Sequence, residues 1–112
     1  MNKTLFALVS LGVLLGAGCG GTSTFSCDRT SGTSGHICID YDAVSGDVSE
    51  SQAQCTASQG TVGTTCSRSG IVGGCRVTAP AGETGTVTTW YYSGTAASVM
   101  TSCGSFSTYV GP

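Results

Sequence analysis

Six cysteines, Cys27, Cys38, Cys55, Cys66, Cys75 and Cys103, run through a chain of 112 residues, and the closest two, Cys66 and Cys75, have eight residues between them. Zinc sites draw on ligand pairs two to four residues apart. No two of these cysteines lie that close, no C-x-x-C occurs, and His36 is the only histidine. The spacing therefore predicts three disulfides rather than a metal centre or a redox motif, and it implies no cofactor. Pairing stays open, since six cysteines allow about 15 connectivities. The need for cross-links is physical. Beyond residue 18 there is no leucine, and Leu, Ile, Val and Phe together supply only 13 residues. A core that small cannot by itself offset the entropy of ordering the chain.

The same composition excludes whole classes. A leucine-free chain is no helix bundle or coiled coil. Beyond residue 18 there are three arginines, Arg29, Arg68 and Arg76, against six acids, so no nucleic-acid footprint exists. Local pattern predicts an α+β fold: a small disulfide-rich domain over 27–112, with an antiparallel sheet of three to five strands and one or two short helices. Ile37–Tyr41 alternates like a short strand, whereas the Gly/Ser/Thr-rich stretch before it reads as irregular. Over 47–60, Ser49 with Gln52 suggests a capping box and Gly60 a stop, which predicts a helix. The stretches 61–66, 71–78 and 86–92 read as a three-stranded meander, with Gly73-Gly74 marking a bulge or a close backbone approach. Thr95 and Gly104 bracket a second short helix, 96–103, and 105–110 a last strand. Short helices ending near Cys55 and Cys103 share a local construction, which is read here as likeness rather than as a repeat.

No catalytic constellation emerges, so the sequence implies a non-enzymatic protein. His36 sits in a Ser/Gly loop, and G-x-S-x-G does not occur. Asp40, Asp42, Asp47 and Glu50 lack the EF-hand spacing and read as a solvated acidic loop rather than a metal site. Trp90-Tyr91-Tyr92 is the patch with most to offer. On a strand, Trp90 and Tyr92 share one face, either as core or as an exposed platform for a glycan or an envelope protein, with Arg68 or Arg76 stacked on the rings. Arg68, flanked by Cys66 and Ile71, also suits the presented residue of a secreted protease inhibitor, which is the alternative reading.

The N-terminus carries its own pattern. Lys3 is followed by the apolar run TLFALVSLGVLL, shorter than the ~20 residues a spanning helix needs, and then by small residues up to Cys19. The stretch Leu15-Gly16-Ala17-Gly18-Cys19 resembles the lipobox of bacterial lipoproteins. The resemblance implies a signal peptide over 1–18, a diacylglyceryl and fatty acyl (palmitate-type) modification on Cys19, and a membrane partner through that anchor. It also implies a tether over 19–26 and, with Gly20 rather than Asp after the cysteine, an outer-membrane address. The small residues before Cys19 equally suit an ordinary signal peptidase, which would release a soluble secreted protein. Cysteine parity agrees with lipidation, because removing Cys19 leaves an even six. The region beyond it is similar to uncharacterised cysteine-rich lipoproteins of Gram-negative bacteria, through Val72-Gly73-Gly74-Cys75 and Trp90-Tyr91-Tyr92-Ser93. That likeness implies an envelope or surface module that binds or supports, with no known activity.

Overall fold

A computed structural model describes residues 21–30 and 35–112. The stretch 1–18, which the sequence reads as a signal peptide, and Cys19 lie outside the described residues. Among the described residues the chain runs β1 (Thr22–Arg29), β2 (Ile37–Ser45), α1 (Ser49–Ala57), β3 (Thr61–Gly63), β4 (Gly73–Thr78), β5 (Thr86–Tyr91), α2 (Ala96–Cys103) and β6 (Thr108–Val110). The strands make one six-stranded antiparallel sheet in the order β3-β1-β2-β5-β4-β6. The α+β class holds, with one strand more than the upper bound the sequence suggested. Three bridges form: Cys27–Cys55, Cys38–Cys66 and Cys75–Cys103. Each spans 28 residues, for which chain entropy alone contributes about 3–4 kcal/mol.

The order reads as two ββαβ units set back to back. β1-β2-α1-β3 is matched by β4-β5-α2-β6, and in each unit the short last strand returns to pair with the outer side of the first. Register makes the match close. One row of directly opposed residues crosses the sheet as Val62, Cys27, Ile39, Thr89, Cys75, Tyr109. Its centre, the Ile39–Thr89 pair, lies on a pseudo-two-fold axis normal to the sheet. Tyr41 opposite Val87 is mirrored by Tyr91 opposite Ile37. Cys27 and Cys75 occupy equivalent places, and each is bridged to the helix of its own unit. The likeness seen around Cys55 and Cys103 is therefore a correspondence of whole units, not of local construction alone.

Because opposed residues share a face, both helices cover the side that carries Cys27 and Cys75. The other side is covered by the segment between the units, residues 64–72, pinned by Cys38–Cys66. The core is correspondingly split. Cys38, Cys66, Ile71 and Trp90 cluster under this segment, with Tyr92 and Val110 against them. Cys75, Val99 and Cys103 cluster under α2 with Val72, Tyr91 and Tyr109.

Several local expectations need correction. Thr22–Ser26 is not tether but strand, because Phe25 stacks on Tyr41 of β2 at 4.3 Å and is buried. β3 does not sit beside β4 in a meander; it pairs with β1 at the far edge. α1 starts as expected, but Ser49 does not cap it. Asp47 Oδ1 instead accepts the Ser49 N–H at 2.9 Å, which holds the Asp47 carboxyl below its ordinary range. α2 forms as read, with Thr95 and Ser98 making a reciprocal capping box and Gly104 at φ 64° ending it. Gly74 is a close approach rather than a bulge. It stands directly opposite Trp90, and a Cβ there would lie 2.6 Å from the indole.

Candidate functional site

The face opposite the helices brings together most of the chain's polar chemistry. Two rows of opposed residues supply it. Asp28, Cys38, Trp90 and Gly74 form one; Ser26, Asp40, Thr88 and Arg76 form the next. Asp40, Cys38, Thr88 and Trp90 thus surround the pseudo-axis on this side.

Asp40 organises the centre. Its Oδ1 accepts the Cys66 N–H at 2.8 Å and its Oδ2 the Trp90 Nε1–H at 2.9 Å. Arg68 Nη2 approaches Oδ2 at 3.4 Å, and the guanidinium carbon sits 4.1 Å from the centroid of the Trp90 ring. One carboxylate therefore ties the sheet, the covering segment and the indole together. A charge accepting several donors is held far more firmly than an exposed ion pair. Trp90 is 4% exposed. It is core, roofed by Arg68, and does not present the open aromatic platform considered from the sequence. Arg68 lies across the ring rather than projecting from a loop.

Tyr92 is partly exposed and lies next along the same face. Its hydroxyl donates to the Ser67 carbonyl at 2.5 Å, and its ring stacks on His36 with centroids 4.1 Å apart. His36 Nε2 in turn lies 2.7 Å from Asp28 Oδ1. The loop histidine is thus fixed between a carboxylate and an aromatic ring. Burial, and then the Asp28 and Asp40 carboxylates, push the Tyr92 phenol above its ordinary range, with Arg68 acting the other way.

Beside Arg68 the face opens into a polar groove of about 210 Å³. Thr86 and Thr88 on β5 form its floor, Asp40 and Asp42 stand on the β2 side and Arg76 on the β4 side, and Arg68 lies against Asp40. Arg76 Nε–H donates to Thr88 Oγ1 at 3.2 Å, and the guanidinium makes no ion pair among the described residues. Thr24 Oγ1–H donates to Asp42 Oδ1 at 3.4 Å. The groove offers fixed charges of both signs above a threonine floor, a surface suited to many simultaneous hydrogen bonds with a hydroxylated ligand. Of the residues singled out from sequence, Arg68 lines this groove, whereas Trp90 and Tyr92 do not. Arg76, Asp42, Thr86 and Thr88 were not singled out as a group. The alternation Thr86, Thr88, Trp90 was visible, but placing Arg76 over Thr88 required the β4–β5 register.

Among the described residues no cluster of three or more His, Cys, Asp or Glu is arranged to hold a metal ion. No helix among them is long and apolar enough to cross a membrane. Three disulfides mark the chain as a protein of an oxidising compartment outside the cytosol. No known protein family, curated protein or solved structure matches the chain.

Proposed function

We propose that this chain is a lipid-anchored envelope protein, acylated at Cys19 and displayed at the outer membrane. Its folded part is then a non-enzymatic binding module that takes a polar, hydroxyl-rich ligand, such as an envelope glycan, in the Arg76–Asp42 groove. The groove carries the reading: about 210 Å³ of open polar space, with a guanidinium and a carboxylate facing each other across threonine hydroxyls. Cysteine bookkeeping supports the anchor. The six later cysteines pair with one another and leave none of their number for Cys19.

Two measurements test this. Intact mass of protein recovered from membranes of a diderm host is expected to show acyl chains on Cys19 and the loss of six hydrogens to the bridges. A panel of envelope glycans is expected to yield a ligand whose affinity falls at least tenfold in Arg76→Ala and in Asp42→Ala, both exposed positions, with an unchanged thermal melt and three retained bridges as the check on folding. An unmodified Cys19, or glycan binding indifferent to both substitutions, overturns the corresponding half of the reading. The inhibitor reading has less behind it, because Arg68 is drawn down onto Trp90 and toward Asp40. Rapid tryptic cleavage after Arg68 in the oxidised protein would remove it.

A further inference from the structure

The two units differ most in what lies between helix and sheet. One turn before its bridging cysteine, α2 carries Val99, which is 2% exposed and packed with Cys75 and Cys103 against Tyr91 and Tyr109. One turn before Cys55, the equivalent residue of α1 is Ser51. Among the described residues no apolar side chain fills the corresponding space. A hollow of about 100 Å³ is left there, bounded by Arg29, Ser51, Gln54 and Ser58 and backed by Ile39 and Tyr41. Arg29 stands on β1 at the place that Val77 holds on β4. Its Nε is buried and has no hydrogen-bond partner, and no carboxylate pairs with its guanidinium among the described residues.

The Arg29 guanidinium lines the hollow and has no carboxylate partner among the described residues, so an anion that enters finds an unpaired charge there. We propose that this hollow is a binding site for a small carboxylate. Arg29 supplies the charge and a planar pair of donors, which matches a carboxylate's two oxygens. Ser51, Ser58 and Gln54 supply neutral hydrogen-bonding groups at the rim, and Ile39 and Tyr41 wall a space for a short alkyl stem. With a single guanidinium as its only formal charge, the hollow suits a monoanion better than a phosphate dianion. The site lies on the helix side of the sheet, opposite the groove, so it stands or falls independently of the glycan reading. The carboxylate is either a free small acid or an acidic side chain of a partner protein.

The test uses the full disulfide-bonded chain at fixed ionic strength, with sodium chloride as reference. Acetate and propionate are titrated while the Arg29 Nε–Hε resonance and the amides of Ser51, Gln54 and Ser58 are followed. Saturable, mutually competitive shifts are expected. They are expected to weaken at least tenfold in Arg29→Gln and in Ser51→Val, each confirmed by mass to retain three bridges. Ser51→Val is the sharper variant, because it fills the hollow as Val99 does and is expected to melt no lower than the native protein. A blocked peptide carrying one Glu distinguishes the sources. Tenfold tighter binding than propionate assigns the site to a partner's side chain; weaker binding assigns it to a free acid. Shifts no different from those of chloride, unchanged affinity in Ser51→Val, or inorganic phosphate binding as tightly as acetate would overturn the proposal.

Discussion

The two ββαβ units share their register and their bridge positions, yet they hold their helices by different means. α2 is packed: Val99 and Cys103 are buried and aromatic side chains close around them. α1 is tethered: Cys55 is its only buried residue, and polar side chains face the sheet beside it. The comparison separates two roles that a disulfide plays. In the second unit the bridge reinforces a contact that apolar burial already makes. In the first it substitutes for that contact and leaves the interface free to be polar.

Removing the bridges one at a time is the strongest way to break this comparison. Replacing both cysteines by serine in either unit is expected to cost about 3–4 kcal/mol in global stability, measured by urea unfolding. Local consequences are expected to diverge. Without Cys27–Cys55 the α1 amides lose protection from hydrogen exchange nearly completely, whereas without Cys75–Cys103 the α2 amides keep part of theirs through Val99. Equal loss in both helices would show that the packing of α2 counts for little.

Next in size is Asp40, the residue that couples the units across the axis. Asp40→Ala leaves the Trp90 Nε1–H and the Cys66 N–H without their acceptor and Arg68 without its partner. A cost of about 2–4 kcal/mol is expected, with altered tryptophan fluorescence and with residues 64–72 losing exchange protection first. A third contrast uses the paired helix positions. Val99→Ala is expected to cost about 1.5–3 kcal/mol and Ser51→Ala less than about 0.5, as thermal melts would show. Comparable costs would mean that the hollow in the first unit is as well packed as the filled one.

The smallest effect is a titration. The Tyr92 phenol is raised in the folded state, so the folded protein holds this proton more tightly than the unfolded chain does. Its contribution is fully present below the ordinary value of 10.0 and is lost as pH rises past it toward the folded value. Unfolding midpoints are therefore expected to fall above pH 10, and to fall less steeply in Tyr92→Phe. At the acid end the sign reverses at the first unit's helix. Lowering of the Asp47 carboxyl means that its support for the start of α1 is present above the ordinary 3.8 and disappears as pH falls below it.

What the sequence disclosed follows the reach of the interactions. α2 was legible because its cap, Thr95, and its stop, Gly104, act within a few residues. The β4–β5 hairpin was legible for the same reason, as was the existence of three bridges, which parity and poor aliphatic content demand. Pairing of β3 with β1 was hidden, because nothing near Thr61 indicates a partner at Asp28. Strand β1 was mistaken for tether because its small polar residues gain order only through Tyr41 and β2. The correspondence of the units was nearly invisible, since the bridge cysteines of each unit and Tyr41 with Tyr91 are the main side chains that recur in it. In the candidate site, Arg68, Trp90 and Tyr92 were picked out for their chemistry, and of the two readings of Trp90, core or platform, burial selects the core. The groove could be found only once register set Arg76 over Thr88.

Both outer strands of the sheet, β3 and β6, are three residues long. An incoming chain would find at either margin too short a ladder to hold on to, and the outward-facing backbone groups run out after a single turn of the pleat. Copies crowded side by side would therefore fail to zip into a continuous ribbon. In a β-rich, charge-poor sequence such brief borders leave another copy little edge to pair with, without the lysines that usually guard one.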